Sequence, residues 1–365
     1  MSEVTRILHV VPNMQAGGLE TFIMNIYRNI DRSKIQFDFL VHYQGEFFYD
    51  DEIRELGGKI YKLSVRDDNN FIKYLKDLKS FFKAHKEYKI VHGHMESLGQ
   101  FYLREAKKNK IPMRIAHSHN SSTEKTVKGY MKSILLKNYH KYATDLFACS
   151  KKAGEYMFGN KRFLVWNNAI NIENFLFDHS VRNEIRKELN LEDKFVIGHI
   201  GRFCKQKNHK FIIEVFEEVL RKNKNSVLIL AGKGELEDSI KELVKIKGIE
   251  DKVKFLGVRK DTSRLYMAMD CLLFPSLFEG LGIVAIEAQC SGLPVIASDV
   301  IPNEANVTSG FYKLSLSESI ARWAEVVNIF NSNANRNNEV EKVRQAGFDI
   351  KDMTKKLEKY YLGEI

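Results

Sequence analysis

The chain is short of most features that assign a protein quickly. Its 365 residues include only 4 cysteines and 5 prolines. Cys149, Cys204, Cys271 and Cys290 lie far apart with no C-x-x-C pair, three of them in apolar runs where a thiol behaves as a small hydrophobe. They read as reduced core residues, which excludes a disulfide framework. No stretch approaches the roughly 20 apolar residues of a membrane span. The opening MSEVTRILHVVPNMQAGG has no basic segment before its short apolar run, so no signal peptide is expected and the expected location is cytoplasmic. There is no G-x-G-x-x-G and no Walker lysine, which removes dinucleotide and P-loop readings. Helix-turn-helix, zinc and RNP elements are missing as well, so no nucleic-acid partner is expected.

Hydrophobic residues make up 44% and aromatics 11%, enough apolar surface to offset the ordering entropy of a globular chain. The length exceeds one ordinary core and points to two domains. The net charge of +10 is uneven: residues 1–180 hold 28 Lys and Arg against 20 Asp and Glu, residues 181–365 hold 29 against 27. By charge alone a basic first half suits an anionic membrane surface, phosphate-bearing lipid or nucleic acid, and a lysine-rich solvated surface explains it equally well.

Short β-rich apolar runs alternate with amphipathic stretches, the pattern of parallel βα units. Strands are expected at 6–12, 35–41, 59–63, 88–94, 113–119, 145–150 and 163–167. A helix over 71–85 sets Phe71, Tyr74, Leu75, Leu78, Phe81 and Phe82 on one core-facing stripe. After the polar segment 178–194 the pattern restarts, with strands at 195–201, 226–232, 252–257, 271–275 and 294–298 and helices at 208–223, 235–247 and 283–291. The expectation is an α/β protein of two doubly wound, Rossmann-like domains, 1–180 and 181–365, facing across a cleft. The last stretch, 338–362, reads as helical and free to pack on either domain. Ligands of such sheets sit at the carboxyl ends of the strands, which directs attention to the strand-to-helix loops.

Three loops carry candidates. In NMQAGGLE (13–20), Gly17 and Gly18 free backbone N–H groups at a helix start for an anion, or simply make a tight turn. In GRFCKQKNH (201–209), Arg202 and Lys207 are placed to converge on one group such as a diphosphate, Arg as a fork and Lys as a point charge; a basic surface loop is the plainer reading. In SLFEGLGIVAIEAQ, Glu279 falls in a loop at a helix N-terminus, where the dipole tolerates a carboxylate. Glu287 falls inside a nearly uncharged helix, and Gly280 and Gly282 turn backbone N–H groups toward a ligand.

The order GG-x-E, GR-x4-K and PSLFEG-x-G-x4-E-A-x2-SGLPVIASD resembles the group 1 family of retaining glycosyltransferases with the GT-B fold, across nearly the whole chain. RILHVVPNMQAGGLETFIMN, IAHSHNS and NNAIN are most like its capsular and exopolysaccharide members. The resemblance implies that Arg202 and Lys207 neutralise the donor diphosphate. It implies that Glu279 and the backbone of Gly280, Leu281 and Gly282 bind the donor sugar, and that Glu287 takes the ribose hydroxyls. Gly17 and Gly18 then lie against phosphate and acceptor, while GKGE with Gly232 and GVRKD with Arg259 line the nucleotide base. It further implies transfer of a hexose or N-acetylhexosamine from a nucleotide sugar, expected to be UDP-linked, to a saccharide or lipid-linked saccharide in surface polysaccharide assembly. Segment 125–141 interleaves Lys with apolar residues, as a helix lying on an anionic bilayer would and as an ordinary amphipathic surface helix would equally.

VHGHMES and IAHSHNSS place His92 with His94 and His117 with His119 at i, i+2 spacing, each pair on one strand face. Four imidazoles at neighbouring strand ends suit zinc, but no carboxylate cluster or H-E-x-x-H accompanies them, and no metal is expected. The resemblance instead puts His119, with His117 as alternative and His94 nearby, against the donor sugar. His199, inside a buried strand, reads as structural. There is no Asp-x-Asp to hold a divalent ion under a diphosphate, so cationic side chains are expected to do that work without cofactor or metal. A nucleotide-sugar epimerase or hydrolase on the same fold, and a non-catalytic anion-binding protein, are the competing readings.

Overall fold

The computed structural model describes residues 4–64, 70–119, 136, 139–332, 336 and 339–365. The chain divides into two compact units, Met1–Ala169 with Ile350–Ile365, and Ile170–Asp349. The division therefore falls at 169/170 rather than 180/181. Residues 180 and 181 sit in the first turn of a helix, His179–Glu188, whose N-cap Asp178 accepts from Ser180 N and Val181 N. The last helix, Ile350–Tyr361, belongs to the first unit. Ile350, Met353, Leu357 and Tyr361 form its apolar stripe and join the core of that unit, each contributing roughly 1.5–3 kcal/mol of burial.

The first unit is built on seven parallel strands: β1 (Thr5–Val10), β2 (Ile35–Val41), β3 (Ile60–Lys62), β4 (Ile90–Gly93), β5 (Met113–Ser118), β6 (Asp145–Ala148) and β7 (Leu164–Val165), in the order β3-β2-β1-β4-β5-β6-β7. The second has six: β8 (Phe195–Ile200), β9 (Ser226–Ala231), β10 (Val253–Gly257), β11 (Cys271–Phe274), β12 (Val295–Ser298) and β13 (Phe311–Leu314), in the order β10-β9-β8-β11-β12-β13. Every pairing is parallel. In each sheet the order runs outward from the first strand one way and then the other, so each has a switch point, β1/β4 and β8/β11, where neighbouring crossovers lie on opposite faces. Central strands such as SVLILA (β9) are buried along their whole length, as covering by helices on both faces demands.

The helix Phe71–Ala84 starts at Asn70, whose side chain accepts from Lys73 N. It buries Tyr74, Leu78, Phe81 and Phe82, but Phe71, in the first turn, is 39% exposed rather than in the core, and packs edge-on to Phe101. The stretch 338–362 is not one helix; Gly347 at φ +81 separates Val340–Gln345 from Ile350–Tyr361. Among the described residues no helix is long and apolar enough to cross a membrane. Most of segment 125–141 lies outside the described residues.

Candidate active site

In the second unit the expected loops meet at the switch point. Lys207 follows β8 and Glu279 follows β11, and the two strands are neighbours. Lys207 Nζ lies 2.6 Å from Glu279 Oε1, both side chains being mostly buried, and 5.2 Å from the centroid of the Phe274 ring. Gln206, not singled out in the sequence, stitches the two loops together. Its Nε2 donates to Phe278 O at 2.9 Å and to Glu279 Oε2 at 3.2 Å, while its own carbonyl accepts from Leu277 N at 2.8 Å. Asn208 adopts φ 58, which turns the chain into the helix His209–Lys222, and donates from Nδ2 to Pro275 O. Its position inside GRFCKQKNH was the only signal that Gln206 belonged here.

Arg202 does not converge with Lys207. Its guanidinium reaches Glu235 at 3.1 Å and stays largely in solvent. The backbone around it is tightly fixed by the glycines of the next two strands. Gly201 N donates to Ala231 O, and Gly232 N donates to Gly257 O at 2.7 Å. Gly232 has φ +139, and a Cβ there would overlap the Gly201 carbonyl. The segments 201–202, 232–235 and 257–261 are thereby brought together. Arg259 is held by a bidentate pair with Asp261, both bonds 2.7 Å.

Gly280, Leu281 and Gly282 are buried behind Glu279. Leu281 is 3% exposed, so its side chain belongs to the core. Gly282, at φ +90, caps the helix Ile283–Cys290, a conformation that a side chain would strain. Glu287 lies on that helix and accepts from the Tyr266 hydroxyl at 2.6 Å. Burial pushes its carboxyl up to about 7, although the Tyr266 hydrogen bond pulls the other way. Tyr266, 21 residues upstream, gave no sign in the sequence of this role.

The first unit gathers its candidates at its own switch point, β1/β4. His9 is in register with His92, and His92 with Ile115, so His9, His92, His94, His117 and His119 all project from one face of the sheet. Five imidazoles form two hydrogen-bonded chains. His9 Nδ1 meets His94 Nε2 at 3.1 Å, and His94 Nδ1 meets His119 Nε2 at 2.9 Å. Tyr361 Oη meets His92 Nδ1 at 2.6 Å, and His92 Nε2 meets His117 Nδ1 at 3.0 Å. Burial pushes His9 and His119 down to about 3, and His92, His94 and His117 well below the usual range, so all five are neutral. His94 spends both nitrogens inside this network. The nitrogens of His9, His94 and His92, and those of His94, His117 and His119, are close enough to share a metal ion. Gly17 precedes the helix Gly18–Asn29, and a Cβ there would overlap the Glu20 carboxylate, the chain's own anion at that helix start. His199, wholly buried, bonds Leu273 O at 2.9 Å, a structural contact.

Two Rossmann-like units with polar and charged side chains at both switch points define a GT-B enzyme, the architecture of a large class of glycosyltransferases. Residues 181–346 match the model of glycosyl transferases group 1, and residues 16–174 that of glycosyltransferase family 4. EpsF of Bacillus subtilis, named as a glycosyltransferase, is 34% identical over 89% of this chain and 88% of its own. The Escherichia coli UDP-Gal:alpha-D-GlcNAc-diphosphoundecaprenol alpha-1,3-galactosyltransferase is 26% identical over 66% of each. Among solved structures, HepE of Anabaena in complex with UDP and glucose superposes with a TM-score of 0.81 at 19% identity, covering 99% of this chain and 100% of its own. The chain belongs to the group 1 glycosyltransferases.

Proposed function

We propose that the protein transfers a hexose or N-acetylhexosamine from a UDP-sugar to a lipid-linked saccharide in surface polysaccharide assembly, with retention at the anomeric carbon and without a metal ion. The Lys207–Glu279 pair at the β8/β11 switch point carries this reading. It puts a cation for a leaving diphosphate directly beside a carboxylate able to accept from sugar hydroxyls. The UDP and glucose held by HepE and the UDP-galactose donor of the E. coli relative support the choice of donor; the diphosphoundecaprenol acceptor of the latter supports a lipid-linked one.

In this mechanism the bond from the anomeric carbon to the phosphate oxygen breaks while a bond from the acceptor oxygen forms on the same face. The acceptor proton passes to the departing phosphate oxygen. Lys207 meets the charge that grows there, and Arg202 swings from Glu235 to the outer phosphate oxygens, an inexpensive move for an exposed pair. Glu279, already engaged by Lys207 and Gln206, holds sugar hydroxyls rather than attacking carbon. Glu287, oriented by Tyr266, takes the ribose. Lacking an Asp-x-Asp, the chain relies on these cations, and EDTA is expected to leave turnover unchanged.

The test is incubation with labelled UDP-sugars in the presence and absence of lipid-linked acceptor. Product is expected only with both. Consumption of donor without acceptor would favour the epimerase or hydrolase reading, and loss of activity in EDTA with recovery in Mn²⁺ would overturn metal independence.

A further inference from the structure

Two donors hold the Glu279 carboxylate, and an arriving diphosphate acts on them differently. Lys207 Nζ lies 2.6 Å from Oε1, and Gln206 Nε2 donates to Oε2 at 3.2 Å. An ionised carboxylate only accepts, so its orientation is set by the donors that stay with it.

Lys207 has a second use. Its ammonium is a point charge on a flexible stem, and a phosphate oxygen draws it as a carboxylate does. In the proposed reaction it meets the charge of the leaving group, and its hold on Oε1 weakens just when the sugar has to be kept in place. Gln206 has no such alternative. An amide nitrogen carries two hydrogens, and here both are committed, one to Phe278 O at 2.9 Å and one to Glu279 Oε2. The orientation of the amide is unambiguous, because the flipped form would set its oxygen against two acceptors. Being uncharged, it is not pulled toward a diphosphate.

The backbone fixes Gln206 independently of its side chain. Leu277 N donates to Gln206 O at 2.8 Å, and Asn208 Nδ2 donates to Pro275 O at 3.2 Å. Both bonds tie 206–208 to 275–277 whatever side chain stands at 206. The distinct contribution of the amide therefore falls on Phe278 O and on the carboxylate itself.

We propose that Gln206 is a positioning residue that keeps the Glu279 carboxylate oriented once Lys207 has turned to the diphosphate, so that recognition of the sugar, but not of the nucleotide, depends on it. The sugar dependence rests on the donor reading of this site; the bond between the two side chains does not. Gln206 acts on the sugar only through Glu279.

Two experiments test the proposal. Gln206→Met keeps the length and bulk of the side chain and removes both hydrogens. In calorimetric titrations it is expected to bind UDP as the wild type does, and to bind UDP-glucose or UDP-galactose, whichever the wild type prefers, about tenfold more weakly, the effect of one hydrogen bond to a charged group. Equal weakening of UDP and UDP-sugar would indicate loop packing and overturn the proposal, as would unchanged binding of both. The second experiment reads the amide directly. In ¹⁵N-labelled, ligand-free protein both Nε2 protons of Gln206 are expected downfield of a solvent-exposed glutamine amide. They should stay there in Lys207→Ala and in wild-type protein saturated with UDP, where the lysine is absent or engaged elsewhere. In Lys207→Ala/Glu279→Ala one should return to the exposed position while the other remains on Phe278 O. Both protons at the exposed position in the wild type, or release of one by Lys207→Ala alone, would show that Gln206 does not fix the carboxylate and overturn the proposal. These spectra of the ligand-free proteins are readable even if UDP does not bind, a result that would count against the donor reading instead.

Discussion

Lys207 and Glu279, 72 residues apart in the chain, meet at 2.6 Å with side chains only 16% and 8% exposed. Desolvation makes such a pair sensitive to the loss of either partner. Lys207→Ala leaves the Glu279 carboxylate in place with Gln206 as its remaining side-chain donor of the two seen here, and is expected to lower unfolding free energy by about 3 kcal/mol in urea titrations. The double variant Lys207→Ala/Glu279→Ala should recover most of that stability. Neither should recover turnover, because the cation for the leaving group and the sugar carboxylate are both gone. A double variant no more stable than Lys207→Ala would mean that the pair is not the source of the loss.

Glu287 gives the pH prediction. Its carboxyl is raised in the folded protein from 4.5 to about 7 by burial. A group raised in the fold contributes its full stability below the unfolded value and loses it as pH climbs through the folded one. Wild-type stability relative to Glu287→Gln should therefore decline between about pH 4.5 and 7 and level off above that, by on the order of 2–3 kcal/mol in total. Chemical denaturation at a series of pH values for both proteins measures the difference and cancels all other titrating groups. A flat difference would show that Glu287 titrates as it does in the unfolded chain.

Local pattern made the strands readable, and long-range pairing decided the rest. All seven strand runs of the first unit and the first five of the second formed near their expected limits, because buried parallel strands are continuous apolar runs. β13, FYKL, was missed: four residues with a lysine carry no such signal. The helix Ile350–Tyr361 was legible as amphipathic, but a stripe does not say which sheet it will cover. Glu279 and Glu287 stood out as charges in small or apolar surroundings, and Lys207 as a cation in a strand-to-helix loop. Gln206, Tyr266, His9 and Tyr361 act through partners 21 to 269 residues away, and no spacing announces such contacts. Arg202 was read correctly as a loop cation but not as the partner of Glu235, since a sequence does not reveal which way an exposed side chain turns.

That exposure makes Arg202 a sharp test of the diphosphate role. Its pair with Glu235 is solvated on both sides, 72% and 56% exposed, and adds little to stability. Arg202→Ala should change unfolding free energy by less than about 0.5 kcal/mol while lowering kcat/KM for the donor by about tenfold or more. Arg202→Lys should restore only part of it, because an ammonium cannot make the forked contact. Unchanged kinetics in Arg202→Ala would remove this residue from the donor site.

The last prediction concerns the backbone that presents these cations. Gly232 stands where β9 ends, donates to Gly257 O at 2.7 Å, and has φ +139, outside the reach of ordinary side chains. A methyl group there would run into the Gly201 carbonyl, which is backbone and leads directly into Arg202. Gly232→Ala must therefore either strain its own dihedrals or push the β8 loop outward. The first alone costs about 1–3 kcal/mol; the second displaces Arg202 and Lys207 relative to Glu279. Lower stability together with weaker donor binding is expected, read by denaturation and by titration with UDP. Gly257→Ala is the control, because its φ of +63 is also positive but nothing lies within 4 Å of the added carbon. It should share the strain without the collision, and if it weakened UDP binding as much as Gly232→Ala, the close approach at Gly201 would not be what positions the cationic loop.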